Sequence, residues 1–176
     1  MKTRSLPLLA ATLFFLGGTY FIDLRCLAED KKSILSSTDE AFVKEAGASG
    51  MGEVKIATLG AQKASSADVK AFAQMLVDDH TKANQELQNL AKGKGVELSQ
   101  VVDSTHADKF QKLEKYSGAD FDKEFLSEMV SAHKKVVSNF ESEQKKATDN
   151  EVKAFVDKML PTLKAHLDKA KELHAK

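Results

Sequence analysis

Three histidines and one glutamate stand on apolar helical stripes where a leucine would be ordinary: Glu53, His80, His133 and His166. A neutral imidazole offers one lone-pair nitrogen and a carboxylate offers two oxygens. Brought together, the four could hold a single Zn, Cu, Ni or Fe ion. The competing chemistry is a buried hydrogen-bond network, with Glu53 as acceptor and the imidazoles as donors, which would have to be fully satisfied. The residues leave both open. Asp79, beside His80, and Glu45 are candidates for the carboxylates that orient a ligating imidazole through its second nitrogen. His106 and His174 lie in stretches that read as exposed and carry no signal. Met51, Met75, Met129 and Met159 read as core filler rather than copper ligands.

Other chemistries are disfavoured. A di-iron carboxylate centre needs Glu-x-x-His on two helices, yet Val77, Val130 and Leu163 stand three residues before the three histidines. Ferroxidase or oxygenase chemistry is therefore not expected. The chain has one cysteine, Cys26, near the end of an apparent leader, so thiol catalysis and thiolate-bound zinc fall away with it. No Ser/His/Asp arrangement, phosphate-binding loop or paired-acid motif is present. No enzymatic activity is expected, and a mononuclear metalloenzyme is an alternative. Lys plus Arg and Asp plus Glu are equal at 26 each, so no basic footprint for nucleic acid exists.

The four polar residues need elements that bring them to one level. Amphipathic periodicity predicts helices over residues 38–64, 66–92, 120–147 and 149–173, with a short helical piece near residues 104–116. The apolar stripes run Phe42, Ala46, Ser49, Glu53, Ile56; Val69, Phe72, Leu76, His80, Ala83, Leu87; Leu126, Met129, His133, Val136, Phe140; and Val156, Met159, Leu163, His166, Ala170. An internal repeat supports the division. When Asp39 is laid on Asp122, "DEAFVKE" at 39–45 falls on "DKEFLSE" at 122–128. In the same register, "ASSADVKAF" at 64–72 falls on "ATDNEVKAF" at 147–155.

Each half is thus one helical hairpin, and the connection of about 25 residues between them is long enough to cross the bundle. The fold class expected is all-α: a ferritin-like four-helix bundle over residues 38–176, built from two hairpins and one long crossover. The hairpin turns centre near residues 65.5 and 148.5. Reflecting Glu53 gives 2×65.5−53=78, and reflecting His133 gives 2×148.5−133=164. Each lands two residues, or ~3 Å, from His80 and His166. Two features mark special packing. "EAGASGMGE" at 45–53 is glycine-rich for a helix interior, where each Gly costs about 1 kcal/mol against Ala, so close helix approach is expected. Pro161 inside the last helix predicts a kink.

The segment 1–28 reads as a secretory signal. Lys2 and Arg4 precede an apolar run over 6–22, and Cys26 and Ala28 occupy the −3 and −1 positions of a cleavage site after Ala28. Residues 29–37 then read as a flexible linker. Cleavage would remove Lys2, Arg4, Arg25 and Asp23, leaving 26−3=23 basic and 26−1=25 acidic residues. The expected location is periplasmic or secreted. An uncleaved N-terminal anchor is the alternative, because the apolar run is just long enough to span a bilayer.

"FAQMLVDDHTKANQEL", "FDKEFLSEMVSAHKKVVSNF" and "LPTLKAHLDKAKEL" resemble the bacterial exported family called domain of unknown function 4142, in the ferritin-like group. The resemblance rests on Asp79-His80, Phe121-Asp122, His133, Leu160-Pro161 and His166, with Phe125 where members often carry Tyr. It implies a four-helix ferritin-like domain of the periplasm or envelope, and no catalytic residues. The function expected is a binding or stress-related module with a polar mid-bundle pocket for a metal ion or small ligand. The alternative is a structural or interaction protein associated with the envelope, its Glu/His cluster only a buried network.

Overall fold

A computed structural model describes residues 33–176; the expected signal segment and residues 29–32 lie outside the described residues. Five helices follow in order: α1 Ser37–Lys63, α2 Ala67–Gly93, α3 Ser104–Glu114, α4 Gly118–Lys146 and α5 Asn150–His174. There is no strand among the described residues, and no helix among them is long and apolar enough to cross a membrane.

Short polar side chains set the starts. Ser36 Oγ accepts from the Asp39 N–H, Asp103 from the His106 N–H, and Asp149 from the N–H groups of Glu151 and Val152. Because Ser36 is the cap, α1 begins slightly before the expected start. The described end of the expected linker is also tied down. The Ile34 N–H donates to the Lys94 carbonyl at 3.1 Å, and Leu35 packs on the core. Gly95, at φ 70, takes the chain out of α2 in a conformation that favours glycine. The last helix continues through Pro161.

Side-chain pairs fix the helix directions. Along α2 and α5, Lys94 meets Asp149, Glu86 meets Lys158, and Asp79 meets His166, so the two helices are antiparallel. Along α1 and α4, Asn139 donates to Glu45 and Ser65 donates to Asp122, again antiparallel. Short turns make α1 antiparallel to α2 and α4 antiparallel to α5. The long connection, carrying α3, therefore leaves α2 and α4 parallel. Two hairpins and one crossover are the arrangement the repeat predicts.

The interior is divided. One apolar cluster holds Ile56, Phe72, Leu76, Phe121, Phe125, Met129 and Leu173. The other holds Phe42, Val43, Leu87, Val137, Phe140, Val156 and Leu163. Between Leu76 and Leu87 on α2 stands His80, and between Met129 and Val137 on α4 stands His133. Glu53 separates the two clusters on α1, and His166 lies between Leu163 and Ala170 on α5. A polar layer thus crosses the bundle at the level the reflections predict.

Candidate metal centre

All four polar residues are buried: Glu53 is 2% exposed, His80 7%, His133 1% and His166 2%. The histidines converge. Each offers a ring nitrogen, and these three atoms lie within 4.8 Å of one another. The ring centroids are 5.4 to 5.6 Å apart.

Hydrogen bonding places the ring proton on two of the three imidazoles. His133 Nδ1 lies 3.0 Å from the Met129 carbonyl, which can only accept, so Nδ1 carries the proton and Nε2 the lone pair. His166 Nε2 donates to Asp79 Oδ2 at 3.0 Å, which leaves the lone pair on Nδ1. That Nδ1 is buried and has no hydrogen-bond partner. His80 Nε2 sits 3.5 Å from His133 Nε2. An ion held by two imidazole nitrogens at about 2.0–2.1 Å would separate them by about 3.3–4.1 Å, depending on the angle. The His80–His133 spacing falls in that window, and the three nitrogens together lie within 4.8 Å.

Electrostatics favour the ligating form. Burial, then the neighbouring imidazoles of His133 and His166, lowers the His80 pKa to about 3. Burial and His166 lower that of His133 to about 4, against a smaller opposing effect of the Met129 carbonyl. Both rings are neutral at physiological pH, as a metal requires.

The two carboxylates proposed from sequence behave differently. Asp79 accepts from His166. Glu45 is exposed and accepts from Asn139 at 3.1 Å, away from the imidazoles. Glu53 lies at the expected height but outside the group of three converging residues. It faces another neighbourhood: burial pushes its carboxyl up to about 7, with Lys109 opposing and Glu128 adding to the shift. Its Oε2 has no hydrogen-bond partner.

Glu53 and His80 both line a partly open cavity of about 330 Å³ walled by α1, α2, α4, α5 and the start of α3. Seam positions expected in the core, Ala46, Ser49, Ala83, Val136 and Met159, are half-buried on its wall. Several are too small to fill the space. His106, which carries no signal by periodicity, is also on this wall. Its ring packs against Gly52, where an added methyl would overlap it, and its Nδ1 contacts Asp103 Oδ2 at 2.6 Å. The available clue was Asp103-x-x-His106, a helix cap whose side chain can also reach the imidazole. Gly50 and Gly52 are thereby explained as close-approach positions, against Asn84 and His106.

The sequence matches the family described as "Domain of unknown function (DUF4142)" over residues 25–173. No curated protein matches it. Among solved structures, the DUF305 fragment from Deinococcus radiodurans is similar, with a TM-score of 0.72 at 12% identity, covering 80% of this chain and 97% of that one. CopM in its Cu(II)-bound form gives a TM-score of 0.66 at 17% identity, covering 78% and 95%. CopM in its Ag-bound form gives 0.65 at 17% identity with the same coverage. These likenesses show the fold.

Proposed function

The chain belongs to the family of domain of unknown function 4142, and from that premise we propose that it is an exported metal-binding bundle that holds one transition-metal ion on His80, His133 and His166. The observation that carries this reading is the convergence of three buried imidazoles, each offering a ring nitrogen within 4.8 Å of the others, together with a His166 Nδ1 that is buried and has no hydrogen-bond partner. A purely structural network would leave that atom unsatisfied at a cost of about 1–3 kcal/mol. An ion removes the cost and uses the hydrogen bonds to Met129 and Asp79 as orienting contacts.

The residues present fit such an ion. Three neutral imidazoles suit Cu, Zn, Ni or Fe, and Cu(II) stands highest in the affinity order for nitrogen sites. The similar bundle CopM has been captured with Cu(II) and with Ag, which makes copper the first ion to test. Export follows the leader read over 1–28 and puts the site where metal from outside the cell would be met. Bound at this site, the ion would supply Lewis acidity or redox capacity. The chain's own contribution is to bring three imidazoles together and to keep those of His80 and His133 unprotonated.

The test is metal content of the protein purified without a histidine tag, alongside His80→Ala and His133→Ala. Near-stoichiometric metal in the parent, lost in both variants, supports the site. No metal after exposure to Cu, Zn, Ni and Fe salts, with the variants differing only in stability, returns the cluster to a structural role.

A further inference from the structure

The cavity beside the histidines has features that the metal reading does not use. We propose that it binds a small organic cation, with a protonated amine head at Glu53 and an apolar body of about one aromatic ring against Phe42, Leu87, Phe140 and Phe155. Its volume of about 330 Å³ lies in the range of about 300–1,000 Å³ typical of small-molecule sites. Its wall is mainly apolar, and small residues at three seam positions, Ala46, Ser49 and Ala83, keep it open.

One atom sets the ligand's chemistry. Glu53 is 2% exposed, lines the cavity and leaves Oε2 without a hydrogen-bond partner. A buried acceptor of this kind is satisfied by a donor, and most strongly by a charged one. Three other polar side chains on the wall are already engaged. Lys109 pairs with Glu128 at 2.7 Å, His106 contacts Asp103, and Asn139 donates to Glu45. Lys135 is exposed to water. An anion therefore finds no buried cation free to receive it, whereas an ammonium finds a buried carboxyl.

Three ligands of similar shape test this by calorimetry on the purified protein: 2-phenylethylamine, 2-phenylethanol and 3-phenylpropionate. The amine should bind tightest. Glu53→Gln should weaken the amine about tenfold or more and leave the alcohol unchanged. Ala83→Leu, which fills the cavity from α2, should weaken both. The proposal is overturned if 3-phenylpropionate binds as well as the amine, if Glu53→Gln leaves amine affinity intact, or if the amine does not bind at millimolar concentration. Should Glu53→Gln fail to fold, unchanged amine affinity in Ala83→Leu overturns it. Metal content measured on the same samples keeps this result separate from the fate of the histidine site.

Discussion

Asp39 and Asp122 are equivalent residues of the two repeats, and each ties down the turn of the opposite hairpin. Asp39 accepts from the N–H and hydroxyl of Thr148 and the N–H of Asp149. Asp122 accepts from the N–H and hydroxyl of Ser65 and the N–H of Ser66. The exchange is reciprocal, so the bundle is pinned by one device used twice. The pinned ends leave mid-bundle as the level where the four helices can carry something other than apolar packing.

Removing one carboxylate strands the turn donors it satisfied. Asp122→Ala should cost about 2–3 kcal/mol, measured as a lower urea midpoint. Asp39→Ala should cost a similar amount, because its partners are of the same kind. If both losses stay within the small range of ordinary surface substitutions, about 0.5 kcal/mol, water replaces these contacts without penalty and the pinning is disproved.

The same pairing explains what the sequence disclosed and what it withheld. The unbroken register between Asp39 and Asp122 makes the repeat legible, and the tight turns make helix direction legible. Axial height was therefore recoverable, and His80, His133 and His166 meet where reflection puts them. Rotation about the axis was not. Glu53 has the right height, but it faces the α3 side, near Lys109. The position of α3 is decided by a crossover whose path leaves no periodic trace. For the same reason His106 looked exposed, although it packs on Gly52. The cavity was hidden because Ala46, Ser49 and Ala83 match a core stripe by polarity while falling short of it in volume.

Gly50 and Gly52 should separate on substitution. A methyl on Gly50 meets the end of the Asn84 side chain, which is half-buried and can rotate. A methyl on Gly52 meets the His106 ring and its Cβ, which are held close to the α3 backbone. Gly52→Ala should therefore lose about 1–3 kcal/mol by overpacking. Gly50→Ala should lie near neutral, because about 1 kcal/mol of helix propensity is returned. Thermal denaturation of the two variants checks the difference. Equal melting temperatures would contradict the packing of α3 on α1.

Glu143 is a buried acid set beside Asp39. Burial raises its pKa, and the hydrogen bond and charge of Asp39 raise it further. A carboxyl with a raised native pKa favours the folded state only while protonated. Its cost therefore begins near the ordinary glutamate value of 4.5 and grows as pH rises through the native value. Glu143→Gln keeps a donor for Asp39 and cannot ionise. The stability of Glu143→Gln relative to the parent should be flat in acid and increase above about pH 4.5. A difference that does not change with pH would show that Glu143 is not held protonated.

The metal-free histidine cluster makes a prediction of opposite sign. The native pKa values of His80 and His133, about 3 and about 4, lie below the ordinary 6.5. The unfolded chain thus binds more protons than the native one between these values. Stability is fully present above about pH 6.5 and falls as pH drops towards about 4. Chelator-treated protein should show this decline in urea unfolding, and His80→Phe with His133→Phe should flatten it. A parent profile already flat from pH 7 to pH 4 would mean that the rings are not buried as neutral bases.

Asp79 tests the metal centre without touching a ligand. Its carboxylate can only accept from His166 Nε2, so it holds the His166 proton on Nε2 and leaves the lone pair on the buried Nδ1. Asp79→Asn changes that rule, because the amide can donate to Nε2 instead. The ring proton then moves to Nδ1, which takes that lone pair away from an ion. Loss of an orienting partner of this kind typically costs about 10–100-fold in metal affinity. Asp79 is 37% exposed at its side chain, so the same change should alter metal-free stability by less than about 1 kcal/mol. A competition titration against a chromophoric copper chelator reads the first quantity and urea unfolding reads the second. Weakened copper binding with stability intact assigns His166 to the ion. Unchanged affinity would remove His166 from the site, and with it the unpartnered Nδ1 on which the three-histidine reading rests.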